Sequence, residues 1–189
     1  MANKSLQQLY ADFSAATRAM EVFKGRLPAV IGNECVRIAK QNFDLQGYDD
    51  GNGVTPWPER SPATNAAYDR NRTSAYRTPT GRKSTAINKY KGSVFGSHNP
   101  LLEQTRNMYR NLQFWTTGRR VLIGWDLNIV PYAEKMNQGG PGTWGKNKTF
   151  TPARQVIPHP GEPANKKMLD AVAKKINYEQ GKILKDFKK

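Results

Sequence analysis

What most constrains this chain is the uneven placement of its strongly apolar residues. Leu, Ile, Val and Phe together supply 35 of 189 residues, and only Val54, Ile87, Val94 and Phe95 of that set fall between residues 47 and 98. The total sits just under the roughly 20% below which a charged chain struggles to order itself, so any core is small and is built by the two flanks. The chain therefore divides into an N-terminal helical region with its turn (1–59), a middle segment (60–98), a β-rich part of the same core domain (99–158) and a C-terminal helical extension (159–189).

In the first flank, Ser5 with Gln8 three residues on has the form of a capping box, and Leu6, Leu9, Phe13, Met20 and Phe23 then recur at helical spacing. The helix is expected to run to about Lys24. Gly25 and Pro28 permit either a break before a second stripe of Ile31, Cys35, Ile38 and Leu45, or one bent helix, with Gly47 as the C-terminal stop. Residues 47–61 are turn chemistry around Trp57, which stands between two prolines and is expected to plug the edge of a core. A calcium loop does not fit there, because Val54 takes a ligand position and Ser61 stands where a bidentate Glu belongs.

In the second flank, Met108, Arg110, Leu112 and Phe114 alternate with Tyr109, Asn111, Gln113 and Trp115. A second run from Arg119 to Trp125 follows Gly118, which predicts a hairpin. Residues 131–136 read as a short helix ended by Gly139-Gly140, and residues 150–158, limited by prolines, as an edge strand at most. Leu169, Val172, Ile176, Ile183, Leu184 and Phe187 keep a helical stripe in the last segment, with Lys166, Lys167, Lys174, Lys175, Lys182 and Lys185 mostly on other faces. The fold class expected is α+β: a small antiparallel β-sheet packed against a long N-terminal helix, with a long extended basic arm and a C-terminal helix.

Charge narrows the partners. The chain carries 30 Lys plus Arg against 15 Asp plus Glu, a net +15. The middle segment concentrates Arg60, Arg70, Arg72, Arg77, Arg82, Lys83, Lys89 and Lys91 against Asp69 alone, interleaved with Tyr68, Tyr76 and Tyr90. That mixture suits phosphate neutralisation with occasional base stacking, contact with an acidic protein surface, or plain solvation. Its few apolar residues cannot offset the entropy of ordering so long a segment, so it is expected to order on a neighbour. Gly81-Arg82-Lys83-Ser84-Thr85 lacks the second glycine and the preceding strand of a phosphate-binding loop.

One cysteine, Cys35, and two histidines, His98 and His159, leave no disulfide and almost no metal framework, and no Ser, Thr or Cys has a visible base. The expectation is a non-enzymatic protein without cofactor. With no apolar run of membrane length and no apolar stretch at its start, it is also expected to be soluble and non-exported.

Taken in order, several short motifs resemble the phage virion morphogenesis family, the Mu-type tail-completion and neck proteins. They are Phe43, the turn from Gly47 to Gly53 and Trp57-Pro58; Leu101 to Thr105 leading into Met108–Leu112; Ile123-Gly124; Tyr132-Ala133 with Gln138-Gly139; and Thr151-Pro152-Ala153-Arg154. The resemblance covers roughly residues 27–57 and 100–158. Arg106 and Asn137 stand where the family has a Gly and often a His. The resemblance implies a structural virion protein, a ring-forming head-to-tail joining or tail-completion subunit, in the virion and, during assembly, in the host cytoplasm. It implies Phe43, Trp57, Tyr132, Gln138, Gly139, Pro152 and Arg154 as structural motif residues. The implied partners are copies of itself in a ring and the portal, neck or tail proteins. Packaged DNA, bound without sequence preference through the eight cations of the middle segment, stays open as a partner; no membrane is expected. A sequence-nonspecific nucleic-acid-binding protein is the alternative reading of the same charge.

Overall fold

The computed structural model describes residues 5–59, 62, 107–118, 120–141, 150–159 and 161–186. A single helix, α1 (Leu6–Leu45), runs for 40 residues, about 60 Å at the usual rise. It starts where the capping box predicts: Ser5 Oγ accepts the N–H of Gln8 at 3.2 Å, and Gln8 Oε1 accepts the N–H of Ser5 at 3.0 Å. The break considered at Gly25 is not there. Helix runs through Pro28, whose ring removes one main-chain donor; packing on both sides of it offsets that loss. Nor does Gly47 supply the stop. Gln46 takes the left-handed conformation, with φ 50°, and gives its N–H to the carbonyls of Asn42 and Phe43.

Two short strands follow, β1 (Gly47–Asp49) and β2 (Val54–Pro56), paired antiparallel with Tyr48 opposite Thr55. Trp57 continues the pairing by donating its N–H to the carbonyl of Gln46 at 2.9 Å. The chain is next described at α2 (Asn107–Asn111), a helical turn where alternation predicts strand. There Asn111 Nδ2 donates to the carbonyl and the side chain of Asn107, both at 2.9 Å, closing the turn locally.

The expected hairpin is present as β3 (Leu112–Thr117) and β4 (Arg120–Trp125), joined through Gly118. Its register puts Leu112–Trp125, Phe114–Ile123 and Thr116–Val121 on one face and Trp115–Leu122 on the other. The first face lies on α1. Phe114 presses so closely on Gly32 that a Cβ there would sit 2.2 Å from its ring, so this crossing of helix and sheet needs a glycine. The two faces also sort the tryptophans. As spaced in the sequence, Trp115, Trp125 and Trp144 are candidates for exposed pairing between copies, but Trp125 lies on the inward face, buried with its indole N–H on the Met108 carbonyl at 2.7 Å; Trp115 is exposed, and Trp144 lies outside the described residues.

Helix α3 (Ala133–Gln138) leads into a third pair, β5 (Gly140–Pro141) with β6 (Phe150–Thr151). The edge strand expected over 150–158 is thus two residues long. Helix α4 (Lys166–Asp186) then returns along α1. Lys167 meets Asp49, Lys175 feels the charge of Glu34, and Glu179 that of Arg26, an order that makes the two helices antiparallel. The class is α+β, with a long N-terminal helix, small two-stranded antiparallel sheets and a C-terminal helix. The core is one cluster around Ile38, Phe43, Trp57, Met108, Leu112, Trp125, Val130, Val156 and Met168. Two packed layers bury what neither hairpin nor helix could bury alone.

Candidate functional site

The site that the sequence motifs single out is a junction near the C-terminal end of α1. Phe43, fully buried, meets Trp57 edge-on with centroids 5.7 Å apart and Tyr109 edge-on at 5.6 Å, the geometry ring quadrupoles favour. Trp57 satisfies its buried indole by donating Nε1–H to the carbonyl of Gln155 at 2.7 Å. Its neighbour in sequence, Arg154, is buried too, and its guanidinium Nη2 donates to the carbonyls of Pro58 at 3.1 Å and Glu59 at 3.5 Å. Residues 57–59 and 154–155, nearly a hundred positions apart, are thereby stitched together in both directions.

The short helix α3 closes the other side. The main-chain N–H of Arg154 donates to the carbonyl of Met136 at 2.8 Å. Gly139, at φ 74°, ends α3 so close to the 151–153 segment that a Cβ would fall 2.6 Å from the nitrogen of Ala153; only glycine combines that φ with that approach. Pro152 is half-buried there. Tyr132 and Gln138 are not part of the junction: both are exposed, Tyr132 preceding the first turn of α3 and Gln138 donating to Glu134 at 3.3 Å. Arg60, Arg70, Arg72, Arg77, Arg82, Lys83, Lys89 and Lys91 lie outside the described residues.

Three asparagines complete the junction; of these the sequence reading names only Asn137, and only as a departure from the family motif. Asn137 Oδ1 accepts the N–H groups of Val156 at 2.7 Å and Ile157 at 3.1 Å, while its Nδ2 donates to the Ile157 carbonyl at 3.2 Å. Asn42 donates to the carbonyl of Val156 at 2.8 Å and accepts the N–H of Asp49 at 3.1 Å. Asn165 caps α4, taking the N–H of Met168 at 2.9 Å, and reaches the hydroxyl of Tyr48 at 3.0 Å and the carbonyl of Asp49 at 3.1 Å. An Asn three positions before a buried Met at the head of an apolar stripe is a readable cap; Asn42 and Asn137, inside helices, leave no such signal.

Between α1, α4 and the 49–53 turn lies an open groove of about 850 Å3. Three of the cations that line it are paired: Arg37 with Glu34 at 2.6 Å, Lys167 with Asp49 at 3.0 Å and Lys175 with Glu179 at 2.8 Å. Lys167, with the N–H of Gly51, holds the Asp49 carboxyl below its ordinary range. Burial and the charge of Glu34 push the Cys35 thiol up, which keeps it protonated and suits a small buried hydrophobe. His159 sits in a turn, its main-chain N–H on Glu162 at 2.9 Å. Among the described residues no group of three His, Cys, Asp or Glu could hold a metal ion, and no helix is long and apolar enough to cross a membrane.

No family model, no curated protein and no solved structure matches this chain. The junction is built from buried rings, buried amides and a paired carboxylate.

Proposed function

We propose that this chain is a structural virion protein, a ring-forming head-to-tail joining (neck) or tail-completion subunit of a tailed bacteriophage, working by protein–protein binding. One observation carries the reading: Phe43, Trp57, Gly139 and Arg154, drawn from three of the short motifs, meet at a single packed junction. Motif residues that converge on a scaffold, with no reacting group among them, are what a protein whose work is shape would need. The junction holds α1, the hairpin and α4 in fixed relation and leaves apolar surface outward, including Trp115 opposite Leu122 on the outer face of the hairpin. Such surface is covered when subunits assemble.

The partners are further copies of the chain and the portal, neck or tail proteins, in the virion and, during assembly, in the host cytoplasm. Immunogold labelling of particles tests the reading. Gold at the head-to-tail junction is expected; particles that carry the genome and tail but no label would remove it.

The net charge of +15 favours a second reading, a sequence-nonspecific nucleic-acid-binding protein. Duplexes of unrelated sequence, titrated at two salt concentrations, separate the two. A tight complex whose affinity falls steeply with salt, without any closed assembly, is the outcome for the binder.

A further inference from the structure

We infer that residues 6–20 of α1 form an assembly arm that packs along the same segment of a second copy of this chain. The inference deepens the self-associating reading above and rests on it for the second copy.

Helix α4 ends at Asp186. Because Glu179 lies near Arg26 and the two helices rise equally, α1 residues before about 20 extend past the described end of α4. No buried residue of α1 precedes Phe23. Yet this stretch is apolar: Leu6 is 85% exposed, Leu9 59%, Tyr10 77% and Phe13 74%. Leu6, Leu9, Phe13, Ala16, Met20 and Phe23 alternate spacings of three and four, which is the period at which one helix seats against another in a coiled coil rather than the wider stripe that faces a globular core.

Area and charge name the occupant. The rings of Tyr10 and Phe13 and the two leucines leave roughly 500 Å2 of apolar surface on one arm, so two arms bring together about the 1,000 Å2 that a specific interface needs. Two copies of a +15 molecule repel each other over most of their surfaces. Residues 5–24 add nothing to that repulsion: Asp12, Arg18, Glu21 and Lys24 cancel, and none lies on the seam. The eight cations of residues 60–98 find no net counter-charge on this face.

The test is the mass of the full chain by light scattering across a dilution series, for the natural chain, Phe13→Glu, Leu6→Glu and Phe13→Leu. Association is expected in the natural chain, weakened at least about 100-fold by either glutamate and retained by Phe13→Leu. Leu127→Glu, at an exposed position in the turn after β4, is expected to leave association unchanged. If Phe13→Glu and Leu6→Glu assemble as the natural chain does, this interface is overturned while the self-associating reading stands. If Leu127→Glu weakens assembly as much as Phe13→Glu does, the loss comes from added charge in general and the arm-to-arm inference is overturned. A natural chain that stays monomeric throughout overturns both.

Discussion

At the scale of single residues, the polar bolts decide whether the junction holds. Asn137 satisfies two main-chain donors and one carbonyl at the 156–157 turn. Asn137→Ala would leave them buried and unpaired, and should cost about 2–4 kcal/mol, read as a lower urea midpoint at unchanged slope. Asp49 acts through charge. Its carboxyl is depressed in the folded chain by Lys167 and the Gly51 N–H, so the unfolded chain binds the proton more readily. Its contribution is therefore complete above the ordinary carboxylate value near pH 3.9 and is lost as pH falls through the lower folded value. Asp49→Asn should flatten the acid limb of a pH–stability curve followed by circular dichroism. At neutral pH it should cost only about 1 kcal/mol, because Lys167 is well exposed. Much at this scale was legible beforehand. The Ser5–Gln8 box is local chemistry, Trp57 between prolines has few places to go but a core edge, and Cys35 on an apolar stripe reads as buried. Asn42 and Asn137 were not legible, since an amide inside a helix declares its partner only when a distant chain segment arrives.

At the scale of elements, local preference and tertiary packing disagree most sharply at Pro28. The Gly25–Pro28 pair permits a break, yet one helix runs through, because Phe23 is buried on one side of the pair and Gly32, Cys35 and Ile38 are buried on the other. If the proline is merely tolerated, Pro28→Ala restores a main-chain hydrogen bond and should raise stability by about 1–3 kcal/mol, seen as a higher unfolding temperature. A lower temperature would mean that the helix's shape at the proline is itself required for α4 to seat. The same contest explains the α2 turn. Alternation over residues 108–114 is a strand signal, but Met108 is buried and its carbonyl is taken by the Trp125 indole, so helix there serves the hairpin's packing. The hairpin itself was readable because Gly118 and a two-residue period agree. The stripe of α4 was readable only in part: Val172 packs against the core beside Met168 and Ala171, whereas Leu169 and Leu184 are exposed.

At the scale of the whole molecule, a small core at one end of a 40-residue helix leaves the other end without cover among the described residues. A net charge of +15 opposes contact between copies, and the projecting arm, being neutral, adds nothing to that repulsion. Those two facts, with a rigid junction built from motif residues, make an assembling subunit the reading that uses the most of the molecule. The chain's apolar supply pointed that way from the start, being too small and too uneven to cover all of its own helices. The arm's seam was also present in the sequence as helical spacing, but its exposure depends on how far α4 reaches, which no local pattern states. Electron microscopy of the purified full chain, at protein concentrations spanning the association range, tests the central claim most directly. Closed rings of uniform diameter are the predicted result; single particles the size of one subunit at every concentration would contradict it.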